Sequence, residues 1–418
     1  MTQKLFLCNL GCSKNSVDGD TIAGFLVKNN FILTSKPQDA TAIIVNTCTF
    51  IEEATQESIN TILQYAPQKG KNCKLIVSGC MSERYKGQIA NDFPEVDLWL
   101  PTDNWRQVLI DYYKLENPLP SRRIISEPLH TQYIKIAEGC SRNCSFCIIP
   151  SIKGQFRSES PDKIIEEAQY LESIGVKELI LVSQDTSFYG RDIGITITCL
   201  LERLLDSTNF RWIRLMYLYP TNVLKDEEFL HLIFAKSRIL PYFDIPFQHV
   251  CDDILKSMNR QYSFLDLYNL VLKIRRVIPH ATLRTTFIVG YPGETKEDFE
   301  KLCEFIQWAR FDKLGVFPYS PEEGTKAATL PNAPDSNIVN ERMEIIMNIQ
   351  REISAEILKD KIEQYMEIIV DAPHIGRTKG DAPEVDGLVY IEKKFKAKVG
   401  DFCQVQVYDS NDYDLLVY

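Results

Sequence analysis

Short apolar runs alternate with longer amphipathic stretches along most of the chain, and the alternation gives way only near its end. Residues 4–8 (KLFLC), 41–45 (TAIIV) and 74–78 (KLIVS) are compact apolar runs, and helix-like stretches follow at 21–28, 51–65 and 83–90. Runs of this length, separated by helical patterns and turn residues, predict βα units and a parallel sheet. Residues 117–132 carry three prolines and paired arginines without periodicity, so they read as a linker. The βα alternation then resumes, with candidate strands at 133–137, 178–183, 212–217, 242–247, 282–289 and 314–317. Between them Ile164, Ala168, Leu171 and Ile174 recur at helical spacing, as do Phe299, Leu302, Phe305 and Ile306. Six such units can curl into a barrel, with its chemistry at the carboxyl ends of the strands. A long helical pattern over 337–358 follows, with Met343, Ile346, Ile349, Ile353 and Ile357 on one side. The period then changes: 366–370, 387–391, 402–408 and 415–418 alternate or run apolar between turn residues, which predicts a small antiparallel β-barrel. The expected organisation is α/β: a parallel-sheet domain over 1–116, a linker over 117–132, a barrel domain over 133–358 and a terminal β-barrel over 359–418.

Composition adds limits to this picture. The chain has 418 residues, 44% of them hydrophobic, which suits two or three globular cores. No apolar run approaches membrane-spanning length. The start, MTQKLFLCNLGC, lacks the features of a secretory signal, so a cytoplasmic protein is expected. A net charge of −10 argues against broad nucleic-acid affinity and suits a basic protein partner. Twelve cysteines in a reducing compartment point to metal or catalysis rather than to disulfides.

Three of those cysteines, Cys140, Cys144 and Cys147, form a C-x3-C-x2-C pattern just after the strand at 133–137. Soft thiolates at such spacing can reach three irons of one cubane, leaving the fourth iron open to a small chelating molecule. Zinc would want four ligands, and no histidine lies nearer than His130. Cys12, Cys48 and Cys80 each fall shortly after one of the first three strands, 36 and 32 residues apart, or about one βα unit. Neighbouring strands of an open α/β sheet share one carboxyl edge, where ligands bind. Position alone therefore leaves two readings for this second set: another cluster, or small buried residues beside turns. Cys8, Cys73, Cys199, Cys251, Cys303 and Cys403 match no ligand pattern.

The segment EGCSRNCSFCIIP, residues 138–150, resembles the radical S-adenosylmethionine superfamily. NLGCSKN, VNTCTFIEEATQESI and VSGCMSERY resemble the amino-terminal domain of its methylthiotransferase subgroup, and the closing β-barrel resembles the TRAM domain of those enzymes. The resemblance covers essentially the whole chain. It implies a partial, open (βα)6 TIM-like radical SAM barrel and two [4Fe–4S] clusters, one on Cys140, Cys144 and Cys147 and a second on Cys12, Cys48 and Cys80. It also implies S-adenosylmethionine as cofactor, cleaved after reduction to a 5′-deoxyadenosyl radical, with a flavodoxin or ferredoxin as electron donor. Cofactor contacts are expected at Gln184 and Gly290, and Arg157 is expected to donate to a carboxylate in bidentate fashion. No catalytic side chain is assigned, since the chemistry resides on the clusters and cofactor.

Two branches of the subgroup differ in target: isopentenylated adenosine in tRNA, or the β-carbon of an aspartate in a small-subunit ribosomal protein. LGCSKN, where the tRNA branch usually reads FGCQMN, resembles the protein-modifying, RimO-type branch, as do IIPSIKGQFRS and GRTKGDAPEVDG. From Lys361 onward, seven Lys/Arg stand against eleven Asp/Glu, which disfavours an RNA-binding module. The expected partners are a basic ribosomal protein and the reductant, with no membrane and little non-specific nucleic-acid binding. The tRNA activity is the alternative; a non-catalytic iron–sulfur or zinc protein is the third reading.

Overall fold

The computed structural model describes residues 3–70, 72–85 and 88–418. The amino-terminal strands form a five-stranded parallel sheet in the order Phe31–Leu33, Gln3–Asn9, Ala42–Thr47, Lys74–Gly79, Leu98–Trp99. The three strands read from the sequence are therefore adjacent, and the central one is buried along its whole length. The outer strands, three and two residues long, are too short to leave a periodic signal. The first helix spans Ser13–Lys28, eight residues longer at its start than the pattern predicts. Its first turns are polar because they face the strand ends rather than a hydrophobic core. The Asn15 side-chain amide donates to the carbonyls of Leu10 at 2.7 Å and Thr47 at 3.2 Å. The third helix starts earlier than expected, over Cys80–Tyr85, and residues 86 and 87 of the predicted 83–90 stretch lie outside the described residues.

The segment 117–132 is a strap laid across the first helix. At Gly24 a Cβ would lie 2.3 Å from the Arg122 carbonyl, so only glycine lets the two backbones approach this closely. The Ile124 N–H donates to the Asp20 carbonyl at 3.0 Å, and buried Arg123 pairs with Glu167 at 2.6 Å on the far side. The strap thereby fixes the first domain against the second.

The second domain places Thr131–Lys135, Glu178–Val182 and Trp212–Leu215 in one parallel sheet, and Tyr242–Asp244, Thr282–Val289 and Lys313–Pro318 in another. The Ile213–Ile239 bridge joins them into six consecutive strands. Alternate residues face outward into one large apolar core shared with the helices, among them Leu179, Leu181, Ile213, Leu215, Phe243 and Phe287. The long helix Ser336–Lys359 packs on the strand Lys313–Pro318 and leads to the terminal domain.

That domain is a closed five-stranded barrel of Tyr365–Ala372, Ile375–Thr378, Val389–Ile391, Leu415–Val417 and Phe402–Ser410. Pairing is antiparallel except where Val389–Ile391 meets Leu415–Val417. It docks on the amino-terminal ends of the larger barrel's strands through buried charge. Arg377 pairs with Glu178 at 2.8 Å and Asp371 at 2.6 Å, while Glu178 also holds Arg214 at 2.9 Å. Lys313 pairs with Asp381 at 2.7 Å, and the Tyr242 hydroxyl donates to Asp386 at 2.6 Å. This leaves the carboxyl ends of the strands free for the first domain.

Candidate functional site

Cys12, Cys48 and Cys80 stand at the carboxyl edge of three neighbouring strands. Cys12 precedes the first helix, Cys48 follows Ala42–Thr47 directly, and Cys80 opens the third helix. Gly11 lets the Cys12 loop close over Cys48, since a Cβ there would lie 2.8 Å from the Cys48 sulfur. A hydrogen bond from Cys48 draws the Cys80 thiol below its ordinary pKa; burial opposes this and Lys153 assists it. The same bond, together with burial, raises Cys48.

Cys140, Cys144 and Cys147 lie on the loop after Thr131–Lys135. The loop is held from below: the Cys140 N–H donates to the Gly154 carbonyl, Ser145 N–H to the Met258 carbonyl and Ala327 N–H to the Ser145 carbonyl, at 2.8–3.0 Å. Gly139 has φ of +76°, and a Cβ there would meet the Gln155 carbonyl at 2.3 Å, so the approach to the first cysteine requires glycine. Burial raises the Cys140 thiol and pushes Cys147 up to about 12. These thiols stay neutral near pH 7 unless positive charge is brought to them. N–H donors already point at the sulfurs: the Arg142 amide at Cys140 and the Arg260 guanidinium at Cys144, each 3.4 Å away. Hydrogen bonds to sulfur are a means by which a protein stabilises a charged iron–sulfur centre. Among the described residues no three His, Cys, Asp or Glu side chains converge on a single-ion point.

The loops that carry the two sets meet across the domain boundary. Cys80 packs against Ile148 and Ile152, which follow Cys147 on the loop and its short helix Ile149–Lys153. A charge network crosses the same boundary. Asp18 of the first helix pairs with Lys153 at 3.2 Å and with Lys135, and Lys135 also pairs with Glu138. Burial alone would raise the Asp18 carboxyl, but Lys135 and Lys153 hold it below the usual carboxylate range. Arg84 closes the far side on Glu322 at 2.8 Å. Between the domains lies a cleft of about 610 Å³, lined by Asn46, Gly79, Glu138, Lys153 and Arg157 among others.

The remaining sequence-based nominees are distributed unevenly. Gln184, beyond the strand Glu178–Val182, reaches toward Glu138 at 3.5 Å and keeps a buried, unpartnered Oε1. At Gly290 a Cβ would lie 2.5 Å from a Val339 methyl of the long helix, so the missing side chain makes room for that packing. Its N–H donates to buried Glu294. Arg157 is mostly exposed at the cleft rim, 3.5 Å from Asp103. Asp185 and Asn222 anchor Arg142, whose guanidinium lies 3.8 Å from the Tyr219 ring centre. Sequence reasoning passed over Arg142, Arg260, Lys153 and Asp18. Only their closeness in sequence to a cysteine could have flagged the first, third and fourth; Arg260 lies more than 100 residues from Cys144, which it contacts.

The chain matches the Radical SAM superfamily over residues 134–306, the Uncharacterized protein family UPF0004 over 4–101 and the TRAM domain over 360–417. It is 43% identical over 421 residues to the ribosomal protein uS12 methylthiotransferase RimO of Aquifex aeolicus (strain VF5), covering 99% of this chain and 96% of that protein. The protein of the same name from Clostridioides difficile (strain 630) is 41% identical over 438 residues, covering 99% and 98%. Among solved structures, the radical S-adenosylmethionine methyltransferase TsrM from Kitasatospora setae superposes with a TM-score of 0.58 at 13% identity, over 90% of this chain and 80% of that one. The cobalamin-dependent radical enzyme OxsB gives 0.52 at 11% identity, over 83% and 56%. At such identity these two bear on the fold alone.

Proposed function

The chain belongs to the RimO family of ribosomal protein uS12 methylthiotransferases, and on that premise we propose that it transfers a methylthio group to the β-carbon of an aspartate in that ribosomal protein. The observation that carries the reading is the juxtaposition of the two cysteine sets, with Cys80 packed on the residues that follow Cys147. A family member of this kind takes a [4Fe–4S] cluster and S-adenosylmethionine, and we assign that cluster to Cys140, Cys144 and Cys147. We assign a second cluster to Cys12, Cys48 and Cys80. When bound, these groups supply a radical able to remove hydrogen from an unactivated carbon and the sulfur that replaces it.

The protein's own residues have other tasks. Arg142 and Arg260 direct N–H groups at the cluster-loop sulfurs. We assign the amino group of the cofactor to Gln184, whose Oε1 has no partner beside Glu138, a carboxylate contact to Arg157 on the cleft that Glu138 also lines, and a backbone contact to Gly290. The Asp18–Lys135–Lys153–Glu138 network and the strap at 117–132 hold the first domain over the barrel mouth, which keeps bulk water from reactive carbon centres. No side chain need act as a nucleophile.

The reductant is proposed to be a flavodoxin or ferredoxin, and the location cytoplasmic. No helix among the described residues is long and apolar enough to cross a membrane. The test is mass spectrometry of small-subunit ribosomal proteins and of tRNA nucleosides from a strain lacking the gene. Loss of a methylthio group from one aspartate of uS12, with tRNA unchanged, is expected. Loss from an adenosine, with uS12 intact, would replace this reading with the tRNA one.

A further inference from the structure

An aspartate that enters this site brings a carboxylate into a half-buried mouth, and a buried charge requires a partner. Most cations nearby are already matched. Lys135 and Lys153 answer Asp18 and Glu138, Arg142 answers Asp185, and Arg284 answers Asp244 and Asp386. Arg260 is spent on Cys144 and the Pro246 carbonyl. Lys14 is different. It lies two residues beyond Cys12, at the start of the first helix, and its side chain reaches down to the barrel, where Nζ sits 3.3 Å from the centre of the Tyr217 ring. Among the described residues no ion pair includes it.

The ring it rests on is held firmly. Tyr217 lies just past the carboxyl end of Trp212–Leu215 with φ of +61°, a conformation costly for a bulky residue. Its N–H donates to buried Asp244 at 3.0 Å, and its carbonyl accepts from the Thr186 N–H at 2.9 Å. Asp244 acts on Lys14 electrostatically but forms no ion pair with it, its two oxygens being taken by Arg284 at 2.7 Å and by the Tyr217 N–H. A cation–π contact holds an ammonium in place for less energy than a desolvated ion pair does. The arrangement therefore leaves a positioned positive charge between the second cysteine set and the barrel lumen, ready for an anion.

We propose that Lys14 is the residue that binds the side-chain carboxylate of the substrate aspartate and so selects aspartate over uncharged targets. This rests on the aspartate reading above.

The experiment uses the reconstituted full chain and two ligands: fluorescently labelled uS12, and the same protein with its target aspartate changed to asparagine. Binding is read by fluorescence anisotropy, and methylthio transfer by mass spectrometry. Wild type should bind the aspartate form more tightly. Lys14→Met should weaken binding of the aspartate form roughly tenfold or more and erase the preference over asparagine. Lys14→Arg should retain most of the preference, and both variants should bind S-adenosylmethionine as wild type does. An unchanged preference in Lys14→Met overturns the proposal. So does a loss confined to S-adenosylmethionine binding, which would assign Lys14 to the carboxylate of the cofactor. If wild type modifies no aspartate of uS12 at all, the function reading itself falls, and this inference falls with it.

Discussion

The six cysteines differ in what surrounds them, and that difference makes each set separately testable. Cys140 and Cys147 are raised by burial, whereas Cys80 is lowered by Cys48, with Lys153 assisting. Replacing any of Cys140, Cys144 or Cys147 by alanine should abolish cleavage of S-adenosylmethionine. Replacing Cys12, Cys48 or Cys80 should leave cleavage intact and abolish methylthio transfer. Each variant should lose about four iron atoms per chain, one cubane's complement. Iron analysis and release of 5′-deoxyadenosine check both statements; equal loss of cleavage from both sets would contradict the division of labour. The pattern of the cluster loop was legible because its three cysteines are local in sequence. The contact of Arg260 with Cys144 was not, because the two lie 116 residues apart and meet only through the fold.

At the scale of elements, the first helix does more than cover a sheet. Its polar start seats Asn15 on the strand ends and Asp18 on the second domain, and its middle admits the strap at Gly24. Helical periodicity was invisible here for that reason: the buried face of the first turns is hydrogen-bonded rather than apolar. Gly24→Ala should destabilise the chain by about 2 kcal/mol or more, because the obstructing atoms belong to backbone that cannot rotate away. A shift in the chemical-denaturation midpoint measures it. A variant as stable as wild type would show that the strap is free to move.

For the whole molecule, the terminal barrel changes the meaning of the charge count. Its excess of Asp and Glu suggested a surface for a basic partner. Four of those carboxylates, Glu367, Asp371, Asp381 and Asp386, are instead engaged by Arg211, Trp212, His130, Arg377, Lys313, Tyr242 and Arg284. Arg377→Ala would leave Glu178 with a single cation and Asp371 with His130, at a cost of about 3–5 kcal/mol to the docking. Hydrogen exchange in Tyr365–Ala372 should rise accordingly. Acid should act on the same interface. Burial opposes ionisation of Glu178, Asp371 and Asp381, but their cationic and hydrogen-bonding partners hold all three below the ordinary range. Folded values below the unfolded ones mean that the stabilisation is complete above the ordinary carboxylate pKa and is lost as the pH falls through the lower, folded values. Asp386, raised by burial, offsets part of this. Undocking should therefore set in below about pH 4, read by the same exchange measurement; docking that is stable at pH 2 would contradict it.

The sequence by itself determined the βα alternation, the change to β-structure after the long helix, the cluster-loop pattern and the family. Each is written in neighbouring residues, either as a period of burial or as a run of ligands. Tertiary structure alone decided that Cys80 packs beside the cluster loop, that Gly290 makes room for Val339, that four of the terminal carboxylates are paired internally, and that Lys14 rests on Tyr217 outside any ion pair among the described residues. Those are contacts between residues tens to hundreds of positions apart. No local period encodes them, because they arise only when separate elements are packed together.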